Sequence, residues 1–377
     1  MSGAFNLGKL FGIQFRLHYT WFLIFVLLTT SLSLQYFPAD YLGWSSVLYW
    51  AVGVTTSLLF FASVVAHELA HSLVGRMNGI PVKSITLFIF GGIAHMTKEA
   101  TRPGAEFKMA AAGPACSLVI GGLFGLLFWL FTESAIKPIV MMVQWLAFIN
   151  VALAVFNLIP GFPLDGGRVF RSILWHFTGN YQRSTRIATT VGRGVGYLFI
   201  LVGILIFFLH PFGLNWFTGL WLAFIGWFLQ NAASASYRQA QWQEALLGLT
   251  ASEVMTSEYS MVPSSITVSD LVQRYVFPSG RYFFLVAEGD RLEGILTLAN
   301  IKSTPRQGWS VTQVGEIMTP VDKLKVAHSN QSALSILEQM SESKINQMPV
   351  LNEGRVIGLI TRDSLLRFLR IRSELGR

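Results

Sequence analysis

The chain has 377 residues, of which 52% are hydrophobic and only 13% charged, and its mean hydropathy is +0.51, well outside the range of an ordinary soluble globular protein. Its formal charge of +8 invites a nucleic-acid reading, but the basic residues gather in alternate loops between apolar runs, which fits a membrane orientation and no nucleic-acid partner. A single cysteine, Cys116, excludes an intramolecular disulfide.

The apolar excess lies before about residue 235, so the chain reads as a polytopic α-helical membrane domain over 1–235, a polar connector over 236–250, and a soluble part made of two repeats, 251–305 and 306–377. Six apolar segments are expected, at about 19–35, 47–75, 107–131, 137–158, 190–209 and 213–233, the last two joined by a tight Pro211-Phe212-Gly213 turn. Tyr19–Leu34 lacks a convincing small-residue cleavage site and is expected to stay as a span. Lys and Arg fall before the first segment, between the second and third, between the fourth and fifth, and after the sixth, while the opposite loops offer only Lys137. That pattern predicts a multi-pass protein of the cell membrane, in contact with the lipid bilayer, with both termini cytosolic.

The second segment carries Ala66-His67-Glu68-Leu69-Ala70-His71 in an apolar run where ionisable groups are costly unless paired or bound. On a helix His67 and His71 share one face, so both imidazoles can reach one ion, with Glu68 beside them as a general base. This is the H-E-x-x-H zinc pattern. The span runs inwards, which puts the pair roughly 10–15 Å from the cytosolic surface at about 1.5 Å per residue.

Residues 82–96, rich in β-branched and aromatic side chains around Gly91-Gly92, are expected to form a β-hairpin at the membrane surface whose open edge can take an extended peptide. His95 in it reads as a local hydrogen-bonding group. Ala110-Ala111-Ala112-Gly113-Pro114-Ala115 reads as a small-residue packing surface against the second segment. Two prolines and three glycines in Pro160-Gly161-Phe162-Pro163-Leu164-Asp165-Gly166-Gly167 break the fourth helix, and irregular backbone at membrane depth is tolerated only inside protein or along a polar cavity. Catalytic zinc usually takes three protein ligands, and Asp165 supplies the third by elimination: Asp40 and Glu133 lie towards the outside, and Glu99 and Glu106 fall in a loop.

With these residues in place the chain resembles the site-2 protease family of intramembrane zinc metalloproteases. His67-Glu68-Leu69-Ala70-His71 and Asn157…Pro160…Pro163-Leu164-Asp165-Gly166 carry the resemblance, with Phe90-Gly91-Gly92 and Ala112-Gly113-Pro114 as secondary signatures. It implies one Zn2+ on His67, His71 and Asp165, with Glu68 activating water. It further implies Asn157 in the site as oxyanion stabiliser or substrate-positioning group, and the transmembrane helix of another protein as substrate. The hairpin is the candidate for holding the unwound segment, with entry between the fifth and sixth spans.

In the soluble part Ala251-Ser252-Glu253-Val254-Met255-Thr256 recurs as Val314-Gly315-Glu316-Ile317-Met318-Thr319, and Leu292–Thr297 recurs as Val356–Thr361. Each copy reads as a short strand, a helix, two strands and a helix, an α/β module that resembles a tandem pair of CBS domains. Such pairs often bind an adenine nucleotide, which implies contacts at Thr297 and Thr361, or serve to form a homodimer. The acidic residue that often follows the threonine by three positions is replaced here by Asn300 and Ser364. The competing reading is a CBS-gated channel or transporter in which His67, His71 and Asp165 line an ion pathway; a base at Glu68 favours the peptidase.

Overall fold

The computed structural model describes residues 4–89, 91–96, 100–133, 136–210, 215–289, 291–343, 345–352 and 355–374. It divides into two compact units, Met1–Ala240 and Gln241–Arg377. The Pro211-Phe212-Gly213 turn, Phe90 and Glu99 lie outside the described residues, as does the side chain of His95.

The first unit opens with strands β1 (Ala4–Leu10) and β2 (Ile13–His18), followed by helices α1 (Thr20–Asp40) and α2 (Ser46–Met77). Strands β3 (Val82–Phe88) and β4 (Gly91–Met96) come next. Five helices follow: α3 (Pro103–Phe131), α4 (Lys137–Asn157), α5 (Asp165–Thr178), α6 (Tyr181–Leu209) and α7 (Trp216–Leu246), the last extending past Ala240. Among the described residues α1, α2, α3, α4 and α6 are long and apolar enough to cross a membrane. The sixth expected segment lies in α7, whose apolar run is cut short by Gln230 and Asn231. That helix continues without a break to Leu246, because no glycine or proline intervenes before Gly248, so most of the expected connector is helix.

The expected hairpin is present as β3–β4, but it is half of a four-stranded sheet ordered β1-β2-β3-β4, in which β2 and β3 run parallel. Alternation explains β2. Ile13, Phe15 and Leu17 are buried while Gln14, Arg16 and His18 face the other way. The sheet's apolar face packs on Trp21 of α1 and on Val65, Leu69 and Leu73 of α2, which brings it alongside the turns that carry the histidines. A second apolar cluster, with Leu32, Phe37, Val52, Trp145 and Leu146, joins α1, α2 and α4. Helices α6 and α7 pack backbone on backbone: a Cβ at Gly203 would lie 2.5 Å from the Ala223 nitrogen, and one at Gly226 would lie 2.6 Å from the Gly196 carbonyl. Entry between the fifth and sixth segments would therefore require α6 and α7 to separate.

The second unit is a mixed sheet with strand order β5-β6-β7-β11-β10-β9, where β5 is Met261–Val262, β6 Phe283–Glu288, β7 Arg291–Thr297, β9 Ala327–His328, β10 Gln347–Asn352 and β11 Arg355–Thr361; β8 (Thr319–Pro320) pairs with β7. The sequence repeat is visible in the pairing. Phe283 faces Thr297 in β6–β7 as Gln347 faces Thr361 in β10–β11, and each hairpin carries a register shift at the equivalent place. Each copy has its own core, around Phe284, Val286 and Leu296 in the first and Met348, Val350 and Ile360 in the second.

Candidate metal centre

Helix α2 begins with Ser45 accepting from the Leu48 amide and is closed beyond Met77 by Asn78 and Gly79. Its 32 residues place His67 and His71 one turn apart, two to three turns before the end, and both are buried. Asp165 is the first residue of α5, so the break in the chain after α4 ends by delivering a carboxylate to the positive end of a helix. The three side chains meet. His71 Nε2 lies 3.1 Å from His67 Nε2, and Asp165 Oδ2 lies 3.2 Å from the first histidine and 3.0 Å from the second.

Hydrogen bonding on the far side of His71 decides what that ring turns inwards. His71 Nδ1 lies 2.7 Å from the Met109 carbonyl, which can only accept, so the proton sits on Nδ1 and the Nε2 lone pair is left facing the other groups. His67 Nδ1 is 2.9 Å from Ser117 Oγ. The His71 nitrogen and the Asp165 oxygen thus direct lone pairs at one point inside a buried site, and His67 Nε2 does the same when its Nδ1–H donates to the Ser117 hydroxyl, an arrangement that repels itself without a cation. The separations also suit one. Bonds of about 2.0–2.1 Å in tetrahedral geometry hold ligand atoms about 3.3 Å apart. Two nitrogens with one oxygen favour zinc over magnesium or calcium, and three protein ligands leave a fourth position free.

Helix α3 backs this site and makes room for it. A Cβ at Gly113 would lie 2.6 Å from His67 Nε2 and closer still to His71 Nε2, so any side chain there would occupy the place where the lone pairs converge. The Ala110–Ala115 stretch therefore packs against α2 as expected, and one of its small residues has the further role of keeping the centre open. Glu68, next to the histidines, is half-buried and abuts β4: a Cβ at Gly92 would stand 2.8 Å from Glu68 Cδ. Asn157 ends α4 and is half-buried, and is not among the residues whose polar atoms converge with the histidines and Asp165. Thr297 and Thr361 belong to the second unit, where both act as caps. Thr297 Oγ1 donates to Asn300 Oδ1 at 2.6 Å, and Thr361 Oγ1 accepts from the Ser364 amide at 2.9 Å. Asn300 and Ser364, which stand where an acidic residue is common, are thus the cap partners of these threonines.

Glu106 departs from its expected loop position. Pro103 starts α3 four residues before the apolar run, which puts Glu106 in the opening turns, fully buried and paired with Arg171 of α5. Sequence reasoning also passed over Ser117 and the Met109 carbonyl; their only signal is a spacing that puts both on the α3 face containing Gly113. Replacing Ser117 with alanine should weaken zinc binding by about 10-fold, since the groups that orient metal-binding histidines typically contribute 10- to 100-fold. Competition with a chromogenic chelator measures this, and unchanged affinity would show that Ser117 is dispensable to the ring's orientation.

A model of peptidase family M50 matches residues 55–136 and 131–203, a stretch that contains all three converging residues and Glu68, and a CBS domain model matches residues 314–371. The zinc metalloprotease sll0528 of Synechocystis sp. is 38% identical over 377 residues, covering 98% of this chain and 96% of its own. The zinc metalloprotease Rip3 of Mycobacterium tuberculosis is 34% identical over 374 residues, covering 98% and 94%. Among solved structures, the site-2 protease from Methanocaldococcus jannaschii is 27% identical, with 62% of this chain and 95% of that one covered and a TM-score of 0.42. Similarity to metalloproteases along almost the whole chain displaces the channel or transporter reading. The chain belongs to peptidase family M50, the site-2 proteases, and is a zinc metalloprotease with membrane-spanning helices and a C-terminal CBS module.

Proposed function

We propose that this protein is an intramembrane endopeptidase that cuts peptide bonds within transmembrane segments of other proteins. The observation that carries the reading is the convergence of His67, His71 and Asp165 in a buried site formed by apolar helices, with Glu68 at its edge. Zinc held there supplies Lewis-acid polarisation of the scissile carbonyl and brings the pKa of water near neutrality. Glu68 takes the proton from the attacking water and passes it to the leaving amine. Asn157 donates a hydrogen bond to the carbonyl oxygen as negative charge develops on it.

A transmembrane helix hides its amides in its own hydrogen bonds, so the segment to be cut must first unwind. Strand β4 is an edge of the four-stranded sheet, and its Gly92 backbone passes directly over Glu68. An extended peptide added to that edge would exchange helical hydrogen bonds for strand pairing and lie alongside the base. The lack of a side chain at Gly92 permits this approach.

The protein resides in the cell membrane with both termini cytosolic, an orientation that rests on the Lys and Arg pattern even though Arg171 is buried and does not count as a loop charge. The CBS pair acts as a regulatory or dimerisation module. An adenine nucleotide is its candidate ligand, with Thr297 and Thr361 as contacts once their caps rearrange. The basic residues are accounted for by membrane topology, with no nucleic-acid partner.

The test is cleavage of a model transmembrane substrate by the purified protein in detergent, before and after removal of metal by a chelator. Cleavage within the apolar segment, abolished by chelation and restored by zinc alone, is the expected result. Cleavage confined to loops outside the apolar segment would overturn the intramembrane reading while leaving the peptidase intact.

A further inference from the structure

The metal centre is assembled from two bodies. The histidines sit on α2 and are oriented from α3 by Met109 and Ser117; Asp165 sits on α5 after an irregular loop. These two bodies pack against each other, and within that contact lies a buried ion pair of Glu106 with Arg171, with Arg168 Nε 3.9 Å from the same Glu106 oxygen. Glu106 is completely buried and Arg171 is 7% exposed. Arg171 Nε donates to Glu106 Oε1 at 2.8 Å, and Nη2 binds the same oxygen. Nη1 reaches Thr185 Oγ1 of α6 at 3.4 Å, and the guanidinium lies 4.9 Å from the Phe162 ring centre and 4.6 Å from that of Tyr181. One guanidinium therefore touches α3, the loop that leads to Asp165, and α6, while standing on α5 itself.

A buried ion pair is a poor device for stability alone. Desolvating both charges offsets most of their attraction, and an apolar pair of similar volume is often at least as stable. What a planar, forked guanidinium gives in addition is fixed geometry. Here the geometry it fixes is that of the metal site. Glu106 lies one turn ahead of Met109, whose carbonyl orients His71, on the helix whose Ser117 contacts His67. Arg171 lies on the helix that begins with Asp165, and the Phe162 ring that it covers is three residues before that carboxylate.

We propose that Arg171 and Glu106 are positioning residues that set the Asp165 carboxylate against the histidine pair. The inference rests on reading His67, His71 and Asp165 as one metal site. It assigns the pair a role in metal affinity and geometry that differs from simply fastening α5 to α3.

The decisive variant is the double substitution Glu106→Leu with Arg171→Met in the full chain, which removes both charges of the pair and keeps the volume, with Arg168→Met alone as its control because Arg168 Nε also lies 3.9 Å from Glu106 Oε1. Zinc affinity by chelator competition, the visible absorption spectrum of the cobalt-substituted protein and thermal unfolding are read together, beside Arg171→Lys and Asp165→Asn. The double variant is expected to unfold near the wild-type temperature, bind zinc about 10- to 100-fold more weakly, and show an altered cobalt spectrum. Arg171→Lys, which keeps the charge and loses the fork, should fall between it and wild type. Wild-type zinc affinity and cobalt spectrum in the double variant would overturn the proposal, and so would a loss of zinc matched by a collapse of thermal stability. If Asp165→Asn itself leaves zinc affinity unchanged, the metal-site reading fails and this inference with it, which separates the two failures.

Discussion

Replacing Glu68 with glutamine should leave zinc bound and lower the cleavage rate by about 10²- to 10⁴-fold, the usual contribution of a positioned general base. The substitution keeps the shape of the side chain and removes only its ability to accept a proton. His67, His71 and Asp165 converge within 3.2 Å of one another, with the rings held by Ser117 and Met109 and no participation from Glu68, so the centre has no reason to lose metal. In free energy the expected loss corresponds to roughly 3–5 kcal/mol of transition-state stabilisation. Single-turnover cleavage, with zinc quantified in the same samples, separates chemistry from binding. Cleavage at the wild-type rate with a full complement of zinc would mean that another group takes the proton; loss of zinc would make Glu68 part of the metal's own support.

The contrast between Glu68 and its neighbours shows what a sequence can and cannot reveal here. Ionisable residues in an apolar run are so costly that their spacing alone exposes a purpose, and the four-residue interval puts His67 and His71 on one helix face whatever the tertiary structure. Asp165 could be reached because so few acidic residues were left to choose from. The internal repeat of the second unit was equally legible, since each copy must bury the same face and therefore repeats the same pattern, down to the matched pairing of Phe283 with Thr297 and Gln347 with Thr361.

What stayed hidden has a common physical cause: it depends on contacts between distant segments. The period-two pattern of Ile13, Phe15 and Leu17 marks a strand, but the strand it pairs with, β3, lies far along the chain, so where the hairpin alone is expected the sheet has four strands. Glu106 looked like a loop residue because the apolar run starts after it. Only its partner Arg171, 65 positions later, explains why an acid can be buried there. Arg171 in turn falls among the basic residues between the fourth and fifth segments, since nothing local distinguishes a buried arginine from an exposed one.

Gly113 is the sharpest case, and replacing it with alanine should empty the centre without removing a single polar atom. Read from sequence, Ala110–Ala115 is a smooth surface on which alanine and glycine are interchangeable. In the structure they are not, because the Cβ added at Gly113 falls among His71 Nε2, His71 Cε1 and His67 Nε2, the last two at 2.6 Å. Relief requires α3 and the histidines to separate by something on the order of 1 Å, and a misplacement of that size alone costs on the order of 100-fold in rate. The methyl group also stands where lone pairs converge, so zinc occupancy should fall from one per chain to near zero and cleavage with it. Gly122→Ala and Gly125→Ala on the same helix are the matched comparisons, since a Cβ at either meets nothing within 4 Å and alanine favours helix by about 1 kcal/mol over glycine. Those two variants should keep both zinc and activity, and metal analysis of all three purified proteins is sufficient to decide. Full zinc in Gly113→Ala would mean that the histidines turn aside at little cost, and that the centre is far less rigid than its tight packing against α3 implies.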